Sequence, residues 1–156
     1  MENANAYSFL NTGVYEKLNQ LQADTLPEWG QMSAQQMVEH LSMIPNLCNG
    51  TVTDMVVYGT PEQIEKRRWH TFVNKTPFPK GIRVPVLPEN PLPLTYSSIP
   101  EAIEAFQEAT AKFYTYYKAN PDAVFNHPIL GPLNFEEWEY FQMIHALHHL
   151  EQFRLL

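Results

Sequence analysis

The sequence predicts an all-α fold of four main helices, and three observations point there. Helix-start chemistry recurs four times along the 156 residues, apolar residues return at three- and four-residue spacing after each start, and strand signals are scarce. Ser33-x-x-Gln36, Thr60-x-x-Gln63, Ser98-x-x-Glu101 and Asn134-x-x-Glu137 each set an N-cap oxygen three residues ahead of a Glu or Gln. The cap oxygen accepts from an orphan N–H of the first turn, while the Glu or Gln accepts from the cap residue's own N–H. Pro61 and Pro100 fall in the first turn of two of these helices, where a missing N–H costs nothing.

The first helix, near 8–22, rests on the stripe Leu10, Val14, Leu18 and Leu21 and has a weaker cap. The second runs near 33–47, with Pro45 placed to kink it or to end it early. "TVTDMVVY" at 51–58 is the one strand-like run, and an isolated strand has no partner, so it reads as loop or edge structure. A small helix follows near 60–73. Residues 74–96, "NKTPFPKGIRVPVLPENPLPLTY", hold six of the 13 prolines, which fix φ and remove backbone donors. A segment of that length and kind is expected to cross over the fold or cover a site, packed down by Phe78, Ile82, Val84, Val86, Leu87, Leu92 and Leu94. The third and fourth main helices span about 98–119 and 134–154, and "NHPILGPLNFEEW" reads as a loop leading to the last cap. The organisation is one domain over 1–156, with the Pro-rich crossover joining the second main helix to the third.

Composition narrows the function classes. The formal net charge of −7, from 10 Lys and Arg against 17 Asp and Glu, argues against a nucleic-acid partner, which needs a cationic face. Lys66, Arg67 and Arg68 lie among Glu62 and Glu65 and read as a solvated helix face. Cys48 has no second cysteine to bridge and reads as a core residue. The N-terminus lacks a signal-peptide pattern and no apolar run is long enough to span a bilayer, so a cytoplasmic protein without a membrane partner is expected. The sequons at 49–51 and 74–76 then read as chance matches.

The chemistry concentrates in histidines on apolar helix faces. In "FQMIHALHHLEQF", Trp138, Phe141, Gln142, His145, His149, Gln152 and Phe153 share about a third of the helix circumference. His145 and His149 are stacked one turn apart and point the same way. His40 sits among Gln36, Met37, Met43, Ile44 and Leu47 on the second helix. A lone histidine in such a stripe is ordinarily a satisfied core residue. An i,i+4 pair plus a third ring on another buried face points instead to one shared cation, because burying three polar rings without a common purpose would cost several kcal/mol unless each found its own partner. Their second nitrogens then need acceptors, for which Gln36, Gln142 and Gln152 are candidates. No histidine follows a glutamate by three residues, and H-E-x-x-H is absent, so the di-iron and zinc-protease patterns do not apply. "KFYTYY" reads as core, with a tyrosine hydroxyl at the metal site as the alternative. Tyr140, Met143, Leu147 and Leu150 form a second apolar band on the last helix, to be buried under the crossover or against a second subunit.

Three stretches, "WGQMSAQQMVEHL" (29–41), "NHPILGPLNFEEW" (126–138) and "HALHHLEQF" (145–153), resemble in order and spacing the DinB-like superfamily of metal-binding four-helix bundles. The resemblance implies an all-α four-helix bundle with a long crossover, a single divalent ion on His40, His145 and His149, and a homodimer; imidazole ligands suit zinc or nickel as that ion. His148 matches no ligand position and is assigned a supporting role. Relatives of this kind imply transfer of a low-molecular-weight thiol, or hydrolysis, on a small-molecule substrate. The rival expectation is a non-catalytic, metal-stabilised dimerisation module.

Overall fold

Three of the predicted helix starts close as complete capping boxes. In the computed structural model, which describes residues 2–81, 84 and 87–156, Ser33 Oγ accepts from the Gln36 N–H while Gln36 Oε1 accepts from the Ser33 N–H. The Thr60/Gln63 and Asn134/Glu137 pairs do the same. At the fourth start Ser98 Oγ caps Glu101, but the Glu101 carboxylate turns to the Ser97 N–H instead.

The helices follow these starts. A first helical run covers 2–18, as α1 (Glu2–Ser8), a π segment (Phe9–Gly13) and α2 (Val14–Leu18). It begins and ends earlier than the predicted 8–22, yet Leu10, Val14, Leu18 and Leu21 are all buried as the stripe requires. Next come α3 (Ala34–Asn46), α4 (Pro61–Arg68) continued by a π segment (Trp69–Val73), α5 (Ile99–Ala119) and α6 (Phe135–Gln152). Pro45 lies in the last turn of α3, which ends one residue later.

An all-α four-helix bundle is therefore not what this chain forms. The described residues contain five helical runs and an antiparallel hairpin of β1 (Phe125–His127) and β2 (Gly131–Leu133). The hairpin falls in the stretch expected to be a plain loop, and side chains hold it. His127 Nδ1 accepts from the N–H groups of Ile129 and Leu130, tying the turn to its own strand. Gly131 takes a φ of +73°, which few residues other than glycine adopt. Arg68 donates to the carbonyls of Leu130 and Pro132 and pairs with Glu137, and Arg67 donates to those of Tyr58 and Ile129. The basic cluster is thus a clamp on the hairpin, and the solvated-face reading fails for two of its three members.

The 51–58 run forms no ladder, as expected for an unpartnered strand. It is anchored by isolated contacts, with Asn126 Nδ2 donating to the Met55 carbonyl, the Tyr58 N–H donating to that of Pro128, and Arg67 donating to the Tyr58 carbonyl. Two apolar clusters fill the interior. One joins α2, α3, α5 and the end of α6 through Val14, Leu18, Met37, Leu41, Phe106, Leu150 and Phe153. The other gathers Cys48, Phe113, Tyr117, Leu133, Trp138 and Phe141 beside the hairpin. Cys48 is wholly buried, as a core residue should be.

The crossover packs down in part. Phe78 is half-buried, whereas Leu87, Leu92 and Leu94 are exposed; Ile82 and Val86 lie outside the described residues. What fixes its far end is polar. The Glu39 carboxylate accepts from the N–H groups of Thr95 and Tyr96, Gln35 donates to the Tyr96 carbonyl and Gln36 to that of Leu92. Two of the glutamine-rich residues of α3 are thereby committed to the crossover.

Candidate metal centre

α3 and α6 bring their histidines together. His40 Nε2 lies 3.0 Å from His145 Nε2, and His149 Nε2 lies 3.2 Å from the same atom. All three offer one ligand atom within 4.8 Å of the others. Their ring centroids are 4.7 to 4.9 Å apart, with each pair steeply tilted, so the rings face a common point edge-on. His145 and His149 are buried and His40 is half-buried.

Burial also sets their protonation. Desolvation, reinforced by the charge of His148, holds His40 down at about 4. His149 is held at about 3 by desolvation and then by His40, against a raising contribution from Gln152. His145, the deepest, is depressed well below the usual histidine value by desolvation and by its histidine neighbours. All three are neutral imidazoles near pH 7, which is the form that binds metals.

One tautomer is fixed by a relay. Gln152 Nε2 donates to the Trp29 carbonyl at 2.7 Å, which turns Gln152 Oε1 toward His149 Nδ1 at 2.7 Å. Nδ1 therefore carries the proton, and His149 Nε2 presents a bare lone pair to the cluster. The backbone supports the same arrangement, since the Glu28 N–H donates to the Gln152 carbonyl at 2.8 Å. At Gly30, with φ +80°, a Cβ would stand 2.9 Å from Gln152 Nε2, so glycine leaves room for the relay.

These positions make a poor set of hydrogen bonds and a good set of ligands. His145 Nε2 faces two nitrogens, and a single proton cannot satisfy both contacts. Metal–imidazole bonds of about 2.0–2.1 Å place neighbouring nitrogens about 3.0–3.4 Å apart, the range of the two short separations here. The three histidines are close enough to hold a metal ion.

A family model described as "Protein of unknown function (DUF1569)" matches residues 6–155. The chain belongs to that family. No curated protein and no solved structure matches it.

Around the cluster of this DUF1569 chain, the remaining expectations divide. Of the three glutamines considered as acceptors, only Gln152 meets one of the three clustered histidines; Gln36 binds the crossover, and Gln142 directs Nε2 toward Cys48 Sγ at 3.9 Å. His148 stays out of the cluster and packs between Trp29 and Phe78, at 5.5 and 5.7 Å between centroids. His127 serves the hairpin turn. The tyrosines of α5 follow the core reading: Tyr114 Oη donates to Glu139 Oε1 at 2.8 Å, and Tyr117 is buried in the second cluster. Of the second apolar band on α6, Leu150 is buried and Tyr140 is covered by Phe72 and Lys75.

Of three residues that frame the site, sequence reading named Phe78 only as packing the crossover down and gave Trp29 and Lys80 no role there. Trp29, Phe78 and Lys80 lie on loops, where no periodicity indicates direction. Phe78 stands 6.4 Å from the His145 ring, and Lys80 Nζ stands 4.5 Å above the Trp29 ring while pairing with Glu151 at 2.6 Å. An aromatic–proline–lysine run inside the crossover was the available signal.

Proposed function

We propose that this chain is a metal-dependent enzyme acting on a small molecule, with His40, His145 and His149 holding one divalent ion, zinc or nickel. The observation that carries the reading is the convergence of three neutral imidazole nitrogens from two helices, with His149 oriented through Gln152. The same positions are those the DinB-like resemblance implies, which supports kinship with that superfamily. Three protein ligands leave coordination positions open, and an ion so held supplies Lewis acidity that makes a water or a thiol nucleophilic near neutral pH. The chain's own residues do the rest. Gln152 keeps the proton of His149 on Nδ1, and Phe141, stacked on His145 with its ring 5.6 Å away, together with Phe78 shields the cluster from bulk water.

Thiol transfer to an electrophile is the favoured reaction, and hydrolysis is the second. The aromatic rings of Trp29 and Phe78, which flank His148 beside the cluster, favour the first, because they suit the carbon skeleton of an organic thiol. The test is metal analysis of wild type and His145→Ala, followed by turnover screens with thiols plus electrophiles and with activated esters. One equivalent of metal in wild type, its loss in the variant, and thiol-dependent turnover are expected. Full metal loading without turnover of any thiol or ester would assign the chain to a metal-stabilised assembly module instead.

A further inference from the structure

We propose that Lys80, Trp29 and Glu151 form a recognition subsite for a carboxylate carried by the small molecule; the inference rests on the thiol reading above. Beside the cluster, Lys80 pairs with Glu151 at 2.6 Å. Lys80 Nζ sits 4.5 Å over the Trp29 ring, the Trp29 ring is 5.5 Å from His148, and His148 is 5.1 Å from His149. A short chain of contacts therefore leads from a cation on the crossover to a ligand of the metal centre. In a protein of net charge −7, an ammonium at this place selects for an anionic group.

Its position is fixed from both sides. Phe78, two residues earlier, packs on His145 and His148, so the crossover is seated on α6 at this point. The Trp29 carbonyl holds Gln152, so the surface beneath the ammonium belongs to the same loop that orients His149. Glu151 occupies the ammonium now, but the two side chains are 53% and 50% exposed, and ion pairs so exposed contribute little. A ligand carboxylate can replace that of Glu151 while the cation stays over the indole. Glu151 then acts as an internal competitor that weakens, without abolishing, the attraction of the ammonium for an incoming anion.

Cobalt(II)-loaded protein is the probe, because thiolate binding to cobalt gives a charge-transfer band that can be titrated. Two matched pairs are compared, thioglycolate with mercaptoethanol and mercaptohexanoate with mercaptohexanol, so that reach and charge are separated. Wild type is expected to favour the acid of at least one pair by about two- to fivefold, the range that one exposed charge contact can contribute. Lys80→Met should erase that preference while leaving alcohol affinity within about twofold. Glu151→Gln should enlarge it by removing the competitor, and added salt should shrink it. Equal binding of acid and alcohol in both pairs, or a preference that survives Lys80→Met, overturns the subsite while leaving the thiol reading standing. Absence of any thiolate band in fully loaded protein overturns the thiol reading and the subsite with it.

Discussion

Gln152 engages His149 and Trp29 through its two side-chain atoms and Glu28 through its main-chain carbonyl. Removing the amide frees the His149 ring to rotate and to move its proton onto the nitrogen that faces the cluster. Gln152→Leu is therefore expected to lower metal affinity roughly 10- to 100-fold with little change in helix content, measured by competition titration against a chelating dye and by circular dichroism. An unchanged affinity would show that the relay is only packing. His127 makes a separate claim, on stability. Burial holds it at about 3, below the roughly 6.5 of an unfolded histidine, so the folded state binds fewer protons. Its stabilising contribution is complete above pH ~6.5 and is lost progressively as pH falls toward ~3. At pH ~5 the loss from this one group is about 2 kcal/mol. His127→Gln keeps an acceptor for the turn without the titration, so metal-free variant and wild type should differ by about that much in their loss of stability between pH ~7.5 and ~5, read from urea denaturation.

At the scale of elements, the crossover is held more by α3 than by its own prolines. Glu39 lies next to His40 and accepts from two consecutive crossover N–H groups, so a polar seam runs along the edge of the histidine cluster. Glu39→Ala is expected to accelerate amide exchange at Thr95 and Tyr96 by tenfold or more, because hydrogen bonds to a charged acceptor contribute roughly 1.5–3 kcal/mol each. Exchange rates that stay put would assign the anchoring to Gln35 and Gln36 instead. The seam also explains what was legible. Helix starts were readable because capping depends on residues three apart, and the core stripes because periodicity is local. The hairpin was not, since Arg67 and Arg68 hold carbonyls about sixty residues away and nothing near 125–133 announces it. His145 and His149 could be paired from spacing alone, and His40 could be singled out by its apolar face. Gln152 was one of three candidates, and only the Trp29 carbonyl decides among them.

The histidine cluster joins parts of the chain that are far apart in sequence, residue 40 on α3 with residues 145 and 149 on α6. Metal-free, that junction holds three neutral imidazoles whose Nε2 contacts cannot all be satisfied by the protons present. An ion bound there, as proposed, would replace those contacts with bonds across the two helices and so would stabilise the folded state by mass action. At a free concentration about a thousand times the dissociation constant the gain is about 4 kcal/mol, which for a chain of this length corresponds to roughly 8–16 °C in Tm. Zinc or nickel added to metal-free protein should raise the unfolding midpoint by that order, and a chelator should return it. His145→Ala removes the nitrogen shared by both short contacts, so the same addition should leave its midpoint within about a degree or two. Differential scanning fluorimetry at neutral pH checks this directly. A rise of equal size in His145→Ala would mean that the ion stabilises the protein from somewhere other than the α3–α6 junction.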